Sequence, residues 1–237
     1  MPDDQTPRHV AIIPDGNRRW AKRHGLKPWE GHDAGARRFR PILRAAFEEG
    51  VYCVSAWIAS RSNLTTRSKV EVEFLYQVLE RFFLELTEVP ELSEHGVRVQ
   101  VFGQWREFQP PGLVKAIEGV IEKTKRNDRH PLNFFDAYDG VSEMTDAIQR
   151  MVDEGRKDPR FAVEPSIIKR HLLTKDLPPV DLVIRTGGEP HWSGGFMMWD
   201  IAEAQFHFSD KMFPDFGAED FRAALEEYRS RERRQGK

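Results

Sequence analysis

HVAIIPDGNRRWAKRHGLKPWEGHDAG, residues 9–35, decides how the chain is read. His9 to Ile13 is an apolar run with the length and β-branched content of a buried strand. Pro14 ends it, and Asp15-Gly16-Asn17 supplies turn chemistry before the amphipathic start of a helix at Arg18 and Arg19. A strand that breaks into a turn and then a helix leaves backbone N–H groups unpaired. With the positive end of the helix dipole, those groups make an anion seat. Arginines beside the seat offer fork-shaped donors matched to phosphate oxygens. Asp15, at the strand's carboxyl end, is placed to hold a hard cation such as Mg²⁺ against those oxygens. The stretch reads as a diphosphate–metal site, although a strand and helix with a merely solvated basic turn would share its local pattern.

Working outward, residues 33–49 carry apolar positions at helical spacing and end at Gly50. Residues 51–59, VYCVSAWIA, predict a second strand, and residues 60–68 a polar loop. Residues 69–92 predict a long helix whose wide apolar face includes Val72, Leu75, Val78, Leu79, Phe82 and Phe83. That face suits core packing and a tunnel for an apolar substrate equally. Strands follow at 97–103, 132–137 and 180–185, with helices at 113–125, 142–153 and 164–174 between them. Residues 196–206 read as helical or mixed, and residues 221–234 as a closing charged helix. Strands alternating with helices predict an α/β fold, a parallel β-sheet flanked by helices on both faces. No repeat or linker divides the chain, so one domain over residues 1–237 is expected.

Composition narrows the functional classes. The 36 basic and 38 acidic residues give a formal net charge of −2, which argues against a nucleic-acid footprint. Cys53 is the single cysteine, excludes an internal disulfide and reads as a buried small hydrophobe in a reducing cytoplasm. Pro2 to Arg8 is polar and leads straight into the first strand, so no signal peptide is expected. No apolar run reaches the roughly 18 residues of a membrane span, and at most peripheral membrane contact is expected.

Parallel sheets bind ligands at the carboxyl ends of their strands. Four strands here end in informative loops: DGNRR, SRSNLTTR, DAYDG and RTGGEPHWSGG. The pairing of HVAIIPDGNRRWAKRHG…GHDAGA with DLVIRTGGE…S…W…A…F…FPDF, which spans nearly the whole chain, resembles the cis-prenyltransferase family, whose best-known members make undecaprenyl diphosphate. The resemblance implies a parallel-sheet fold, a homodimer, an apolar tunnel, Mg²⁺ and two prenyl diphosphate substrates. It makes Asp15 the Mg²⁺ ligand and, with Asn63, the catalytic pair. Gly16, Asn17, Arg18, Arg19 and His32 would cradle the allylic diphosphate, with Ser60 and Arg67 beside them. Arg185, Gly187, His191 and Ser193 would hold the second diphosphate. Trp20, Glu71 and Gly188 would complete the substrate contacts, and Arg231, Arg233, Arg234 and Gly236 resemble the family's RxRRxG ending.

The departures from the family pattern concentrate on the second substrate. His191 stands where an arginine is usual, and a histidine cannot make the bidentate fork. Ser193-Gly194-Gly195 carries an extra glycine, and Gln205 replaces the usual metal-binding glutamate. Glu203, Asp139 and Asp200 are the candidates to replace it. Ser62-Asn63-Leu64 stands for the usual ENW, Tyr138-Asp139-Gly140-Val141 for Tyr-Gly-Gly-Arg, and Lys27 for an arginine before GHxAG.

The resemblance therefore implies a cytoplasmic prenyl diphosphate synthase. It would join an allylic diphosphate (dimethylallyl, geranyl or farnesyl) to isopentenyl diphosphate or to a second allylic partner. The altered second site favours a short, branched product of the lavandulyl, head-to-middle type. An ordinary Z-polyprenyl synthase is the alternative. A terpene cyclase shares the ionisation chemistry, and a non-catalytic subunit is opposed by the retained Asp15, Asn17, Arg19 and Arg185.

Overall fold

The computed structural model describes residues 6–231. Six strands form it: β1 His9–Ile13, β2 Cys53–Trp57, β3 Val97–Phe102, β4 His130–Phe135, β5 Leu182–Arg185 and β6 Gln205–Phe208. They pair in the order β3-β4-β2-β1-β5-β6, every pairing parallel. The helices are α1 Asn17–Arg23, α2 Pro28–Glu48, α3 Arg61–Thr66, α4 Lys69–Thr87 and α5 Glu91–Glu94. They continue with α6 Trp105–Phe108, α7 Pro111–Thr124, α8 Gly140–Lys157, α9 Pro165–His171 and α10 Ala218–Ser230.

β1 shows why its sequence is apolar throughout. All five of its residues are buried. Val10 and Ile12 enter one core, with α2, α4, α7 and α10, while Ala11 and Ile13 enter the other, with Phe196, Met197 and Ile201. A strand covered on both faces has no polar side, so it reads as a continuous apolar run. Cys53 is fully buried, and burial pushes its thiol up to about 12, so it packs as a small hydrophobe.

Three expectations are corrected. The predicted polar loop at 60–68 contains α3, started by Ser60 Oγ accepting from Asn63 N at 3.0 Å. The predicted helix 69–92 stops at Thr87, and α5 is a separate turn after Pro90. Within 196–206, residues 196–203 are turns and 205–206 open β6, which pairs with β5 at the sheet edge. Of the C-terminal ending only Arg231 is described, donating from Nη1 to Phe206 O at 2.9 Å; Arg233, Arg234 and Gly236 lie outside the described residues. Among the described residues no helix is long and apolar enough to cross a membrane.

Candidate active site

β1 is followed in sequence by β2 on one side and flanked by β5 on the other, so the strand order reverses between β1 and β5. Such a switch point opens a crevice beyond the carboxyl ends of the strands. Asp15 leaves β1 there, and Arg185 ends β5. Arg185 Nη2 lies 2.9 Å from Asp15 Oδ2, although 170 positions separate the two residues. Arg19 Nη2 meets the same oxygen at 3.3 Å, and its Nη1 meets Glu189 Oε1 at 3.1 Å. The Asp15 backbone is pinned as well, its carbonyl accepting from Thr186 Oγ1 at 2.7 Å and Phe213 N at 3.0 Å.

The turn after β1 needs glycine. Gly16 has φ +102°, and a Cβ there would sit 2.9 Å from Met212 Cβ. Its N–H is taken by Asp15 Oδ1 at 2.6 Å, so the expected anion seat is partly closed by the aspartate itself. Gly35 stands under Asn17, where a Cβ would meet the Asn17 side-chain oxygen at 2.3 Å.

A cavity of about 590 Å³ opens over this crevice. Asp15, Gly16, Asn17, Arg18, Arg19 and His32 line it, as do Ser60, Asn63, Arg67, Arg185 and Ser193. Behind that polar mouth the wall turns apolar, with Phe39 from α2 and Leu75, Val78 and Leu79 from α4. Gly194, from the inserted glycine pair, lines it too, as do Trp57 and Phe213; sequence reasoning gave those two aromatics no site role, because each residue type is equally at home in a core.

A second cluster orders the mouth. Glu71 is buried on α4 and meets Arg18 Nε at 3.1 Å and Arg67 Nη1 at 3.3 Å. His32 lies between them, and burial together with the Arg67 and Arg18 guanidiniums pushes its imidazole down to about 3. It is therefore neutral, and the 4.0 Å approach of its Nε2 to Glu71 is no ion pair. Arg67 Nη1 lies 3.1 Å from that Nε2, so Nε2 accepts and the proton sits on Nδ1.

The remaining expected site residues sit outside the lining. Gly187 gives its N–H to Lys211 O at 2.7 Å, and its missing Cβ leaves room for Arg19 Nη2. Gly188 gives its N–H to Ser209 O at 2.9 Å. Neither N–H is free for a phosphate, so any contact these glycines make with substrate would not run through a backbone N–H. Trp20 donates from its indole to Asp215 Oδ1 at 2.8 Å and stacks on His24, on an exposed face. His191 acts mainly through its backbone: its carbonyl accepts from Arg185 Nη1 at 2.8 Å, and its ring Nε2 lies 3.0 Å from Ser193 Oγ. Arg185 Nη1 also donates to Ser193 Oγ.

The altered second-substrate loop is built into the wall. Gly194 and Gly195 both have positive φ, and a Cβ on Gly194 would strike the Trp57 ring at 2.6 Å. Gly194 O accepts from Gly140 N at 2.9 Å, and Trp57 stacks on Phe196 at 5.4 Å. The two glycines thus let the loop lie flat across the ends of β2 and β4.

For a metal, the donor set is small. Among the described residues no group of three or more His, Cys, Asp or Glu side chains converges. Asp15 is the one carboxylate at the centre of the crevice, and Asp139 lies at the cavity wall. Glu203 is exposed and away from the cavity, Asp200 is engaged by Lys169 and by Thr174 Oγ1 at 2.6 Å, and Gln205 lies on β6. Two buried polar atoms at the crevice, Asn17 Oδ1 and Arg185 Nε, have no hydrogen-bond partner. The Asp15 carboxylate and the unpaired Asn17 Oδ1 fit Mg²⁺, which keeps several waters and binds through few protein oxygens plus substrate phosphates, while the unpaired Arg185 Nε–H suits a phosphate oxygen.

A polar, arginine-lined mouth over an apolar chamber, at the switch point of a parallel sheet, defines an α/β protein suited to an amphiphilic anion. The family model of undecaprenyl diphosphate synthases, a prenyltransferase family, matches residues 13–236. The chain belongs to that family. It is 38% identical over 98% of its length to a tritrans,polycis-undecaprenyl-diphosphate synthase (geranylgeranyl-diphosphate specific) of Pyrococcus abyssi, covering 87% of that relative. It is 37% identical to an isoprenyl transferase of Thermus thermophilus, over 98% of this chain and 89% of the relative. Among solved structures, lavandulyl diphosphate synthase from Lavandula x intermedia, in complex with dimethylallyl diphosphate, superposes with a TM-score of 0.93 at 31% identity, covering 99% of this chain and 100% of that one. A probable undecaprenyl diphosphate synthase from Campylobacter jejuni gives 0.78 at 25% identity, covering 98% and 99%.

Proposed function

We propose that this prenyl diphosphate synthase couples an allylic prenyl diphosphate to a second allylic diphosphate and releases a short, branched, head-to-middle product. The observation that carries the reading is the Arg185 hub: one guanidinium joins Asp15 of the first site to Ser193 and His191 of the rebuilt second loop. In this reading Arg18, Arg19 and Arg67 bind the diphosphate of the ionising substrate, and Asn17 and Asn63 orient it. Asp15 would hold Mg²⁺, which would supply neutralisation of the leaving diphosphate when bound. The allylic C–O bond breaks with its electron pair leaving on diphosphate, and the arginines stabilise that developing charge. The internal double-bond carbon of the second substrate then attacks the allylic cation. The new tertiary cation is quenched by losing a proton.

The likeness to lavandulyl diphosphate synthase supports the branched outcome. Ordinary Z-elongation with isopentenyl diphosphate is the second reading, favoured by the names of the sequence relatives. The proposal includes one catalytic domain, a homodimer and a cytoplasmic location. Product analysis with dimethylallyl, geranyl and farnesyl diphosphates, each with and without isopentenyl diphosphate, separates the two readings. Branched product from allylic diphosphates alone is expected, and linear product appearing only with isopentenyl diphosphate would refute it. Asp15→Ala is expected to lower turnover by at least 10²-fold, the order seen when one stabiliser of transition-state charge is lost.

A further inference from the structure

Tyr138 and Glu143 are buried behind the crevice, and neither lines the cavity. Hydrogen accounting fixes how they meet. Glu143 Oε1 accepts from Leu173 N at 2.8 Å, and its Oε2 lies 2.6 Å from Tyr138 Oη. Tyr138 Oη also lies 3.2 Å from Met197 N, which can only donate. The single phenolic proton therefore goes to Glu143, and a lone pair of the same oxygen is aimed at Met197. Burial and the neighbouring Glu143 carboxylate push the phenol up, so that proton stays in place.

What Tyr138 grips is a strained turn. Among the described residues, Ala137 and Met197 are the non-glycine positions with positive φ, at +48° and +50°. Ala137 immediately precedes Tyr138, and Met197 donates to it. A side chain at such a φ persists only where its surroundings over-determine it. Gly194 and Gly195, at +55° and +64°, precede Met197 in the same loop and adopt that region freely. Met197 does not, so it is held there by the Tyr138 hydroxyl and by Asp200 N and Ile201 N, which donate to its carbonyl at 2.9 and 3.1 Å. Tyr138 braces the loop at two further points. Its ring meets Phe196 edge-on at 6.1 Å, and its carbonyl accepts from Nε1 of Trp57, the ring that Gly194 and Phe196 lie against, at 3.2 Å.

We infer that the Tyr138–Glu143 pair is a positioning device that sets where Ser193 stands beside Arg185, and so the affinity for the second diphosphate. The inference rests on the proposed prenyl diphosphate site and deepens it. The path from the pair to the site is short. Phe196 N donates to Ser193 O at 3.0 Å, and Met197 follows that turn directly. Ser193 Oγ accepts from Arg185 Nη1, and Arg185 Nη2 reaches Asp15. Freed from Tyr138, Met197 relaxes toward negative φ and carries Ser193 with it. The second substrate keeps its diphosphate throughout the reaction. A displaced Ser193 therefore weakens ground state and transition state alike, which raises KM and leaves kcat in place.

Tyr138→Phe and Glu143→Gln test this in the full chain. The first removes the hydroxyl. The second turns it: with the amide oxygen kept by Leu173 N, the amide nitrogen faces Tyr138, and the phenolic proton is driven toward Met197. Each variant is assayed with Mg²⁺ for C15 product at saturating geranyl diphosphate, with dimethylallyl or isopentenyl diphosphate varied. Each is also titrated calorimetrically with geranyl S-thiolodiphosphate, which resists ionisation. KM for the C5 partner is expected to rise about tenfold, the order of one hydrogen bond to a charged group, with kcat and geranyl-analogue binding within about twofold. In a Ser193→Ala background, Tyr138→Phe is expected to change KM by less than about twofold, because it acts through that hydroxyl. Unchanged KM in both variants, or full additivity with Ser193→Ala, overturns the positioning role. So does loss of geranyl-analogue binding in both, the mark of a pair that merely holds the fold. Wild-type product formed only with isopentenyl diphosphate refutes the branched reading, and the KM comparison then decides the positioning role with that partner. No C15 product with either partner overturns the prenyl diphosphate site, and the positioning role with it.

Discussion

Two buried titratable side chains and a third, nearly buried at the cavity mouth, show how single residues tie stability to pH. His9 is fully buried between Ser55 Oγ and Pro178 O, each at 2.8 Å, and burial pushes its imidazole down to about 4. His32 is pushed down to about 3. Each binds a proton more weakly when folded than at the ordinary 6.5, so acidification from pH 7 to 5 favours the unfolded chain by about 2 kcal/mol per histidine. Asp136 works in the opposite sense. Burial pushes its carboxyl up to about 7 against an ordinary 3.8, so the same acidification favours the folded state by about 2 kcal/mol. Gln109 Nε2 donates to both Asp136 oxygens at 2.7 and 2.8 Å, while Gln109 Oε1 has no partner. Rotating that amide accommodates Asp136→Asn, which removes the opposing titration. Urea midpoints are therefore expected to fall more steeply between pH 7 and 5 in Asp136→Asn than in the wild type, and parallel profiles would rule this balance out.

At the scale of elements, α3 is where reading and structure diverge most instructively. SRSNLTT is polar and rich in cap formers, so it reads as a loop, and the same residues make a short helix by capping it reciprocally. Ser60 Oγ accepts from Asn63 N, and Asn63 Oδ1 faces Ser60 N at 3.5 Å. Ser60→Ala is expected to cost about 1 kcal/mol and Ser60→Gly only a few tenths, so Tm should drop by about 2–4 °C in the first and far less in the second. Equal melting of the two would mean that Ser60 does not cap. Strands β1, β2, β4 and β5 were legible because double-sided burial demands largely apolar runs, interrupted only by polar residues with buried partners such as Ser55 and Asn133. β6 was not, because QFHF is four half-exposed residues at an edge with no β-branched side chain. The meeting of Asp15 with Arg185 was legible from strand ends alone, since a parallel sheet gathers those ends on one side. The Trp57–Gly194 contact and the apolar wall at Phe39, Leu75 and Leu79 were not, since a hollow and a packed core draw on the same side chains.

For the molecule as a whole, the crevice is also the seam of the sheet. β1 pairs with β5 through four register positions, and the β5–β6 edge joins the rest of the sheet only across that pairing. The ion pairs that cross it, Asp15–Arg185 and Arg19–Glu189, belong to the cavity mouth. In the proposed function, a prenyl diphosphate with Mg²⁺ would contact loops from β1, β2 and β5 and helix α2 through its diphosphate and the apolar wall of α4 through its tail, bridging the seam. Ligand that binds only the folded state stabilises by about 2.7 kcal/mol at a hundredfold excess over Kd. For a chain of this length that corresponds to roughly 5–10 °C in Tm. Geranyl S-thiolodiphosphate with Mg²⁺ is therefore expected to shift one cooperative transition of the whole chain upward by that amount, while Mg²⁺ alone shifts it little, because Asp15 by itself offers the cation one carboxylate. A split melting curve, with one part ligand-sensitive and the other indifferent, would show that the seam separates two folding units and that the single-domain reading fails.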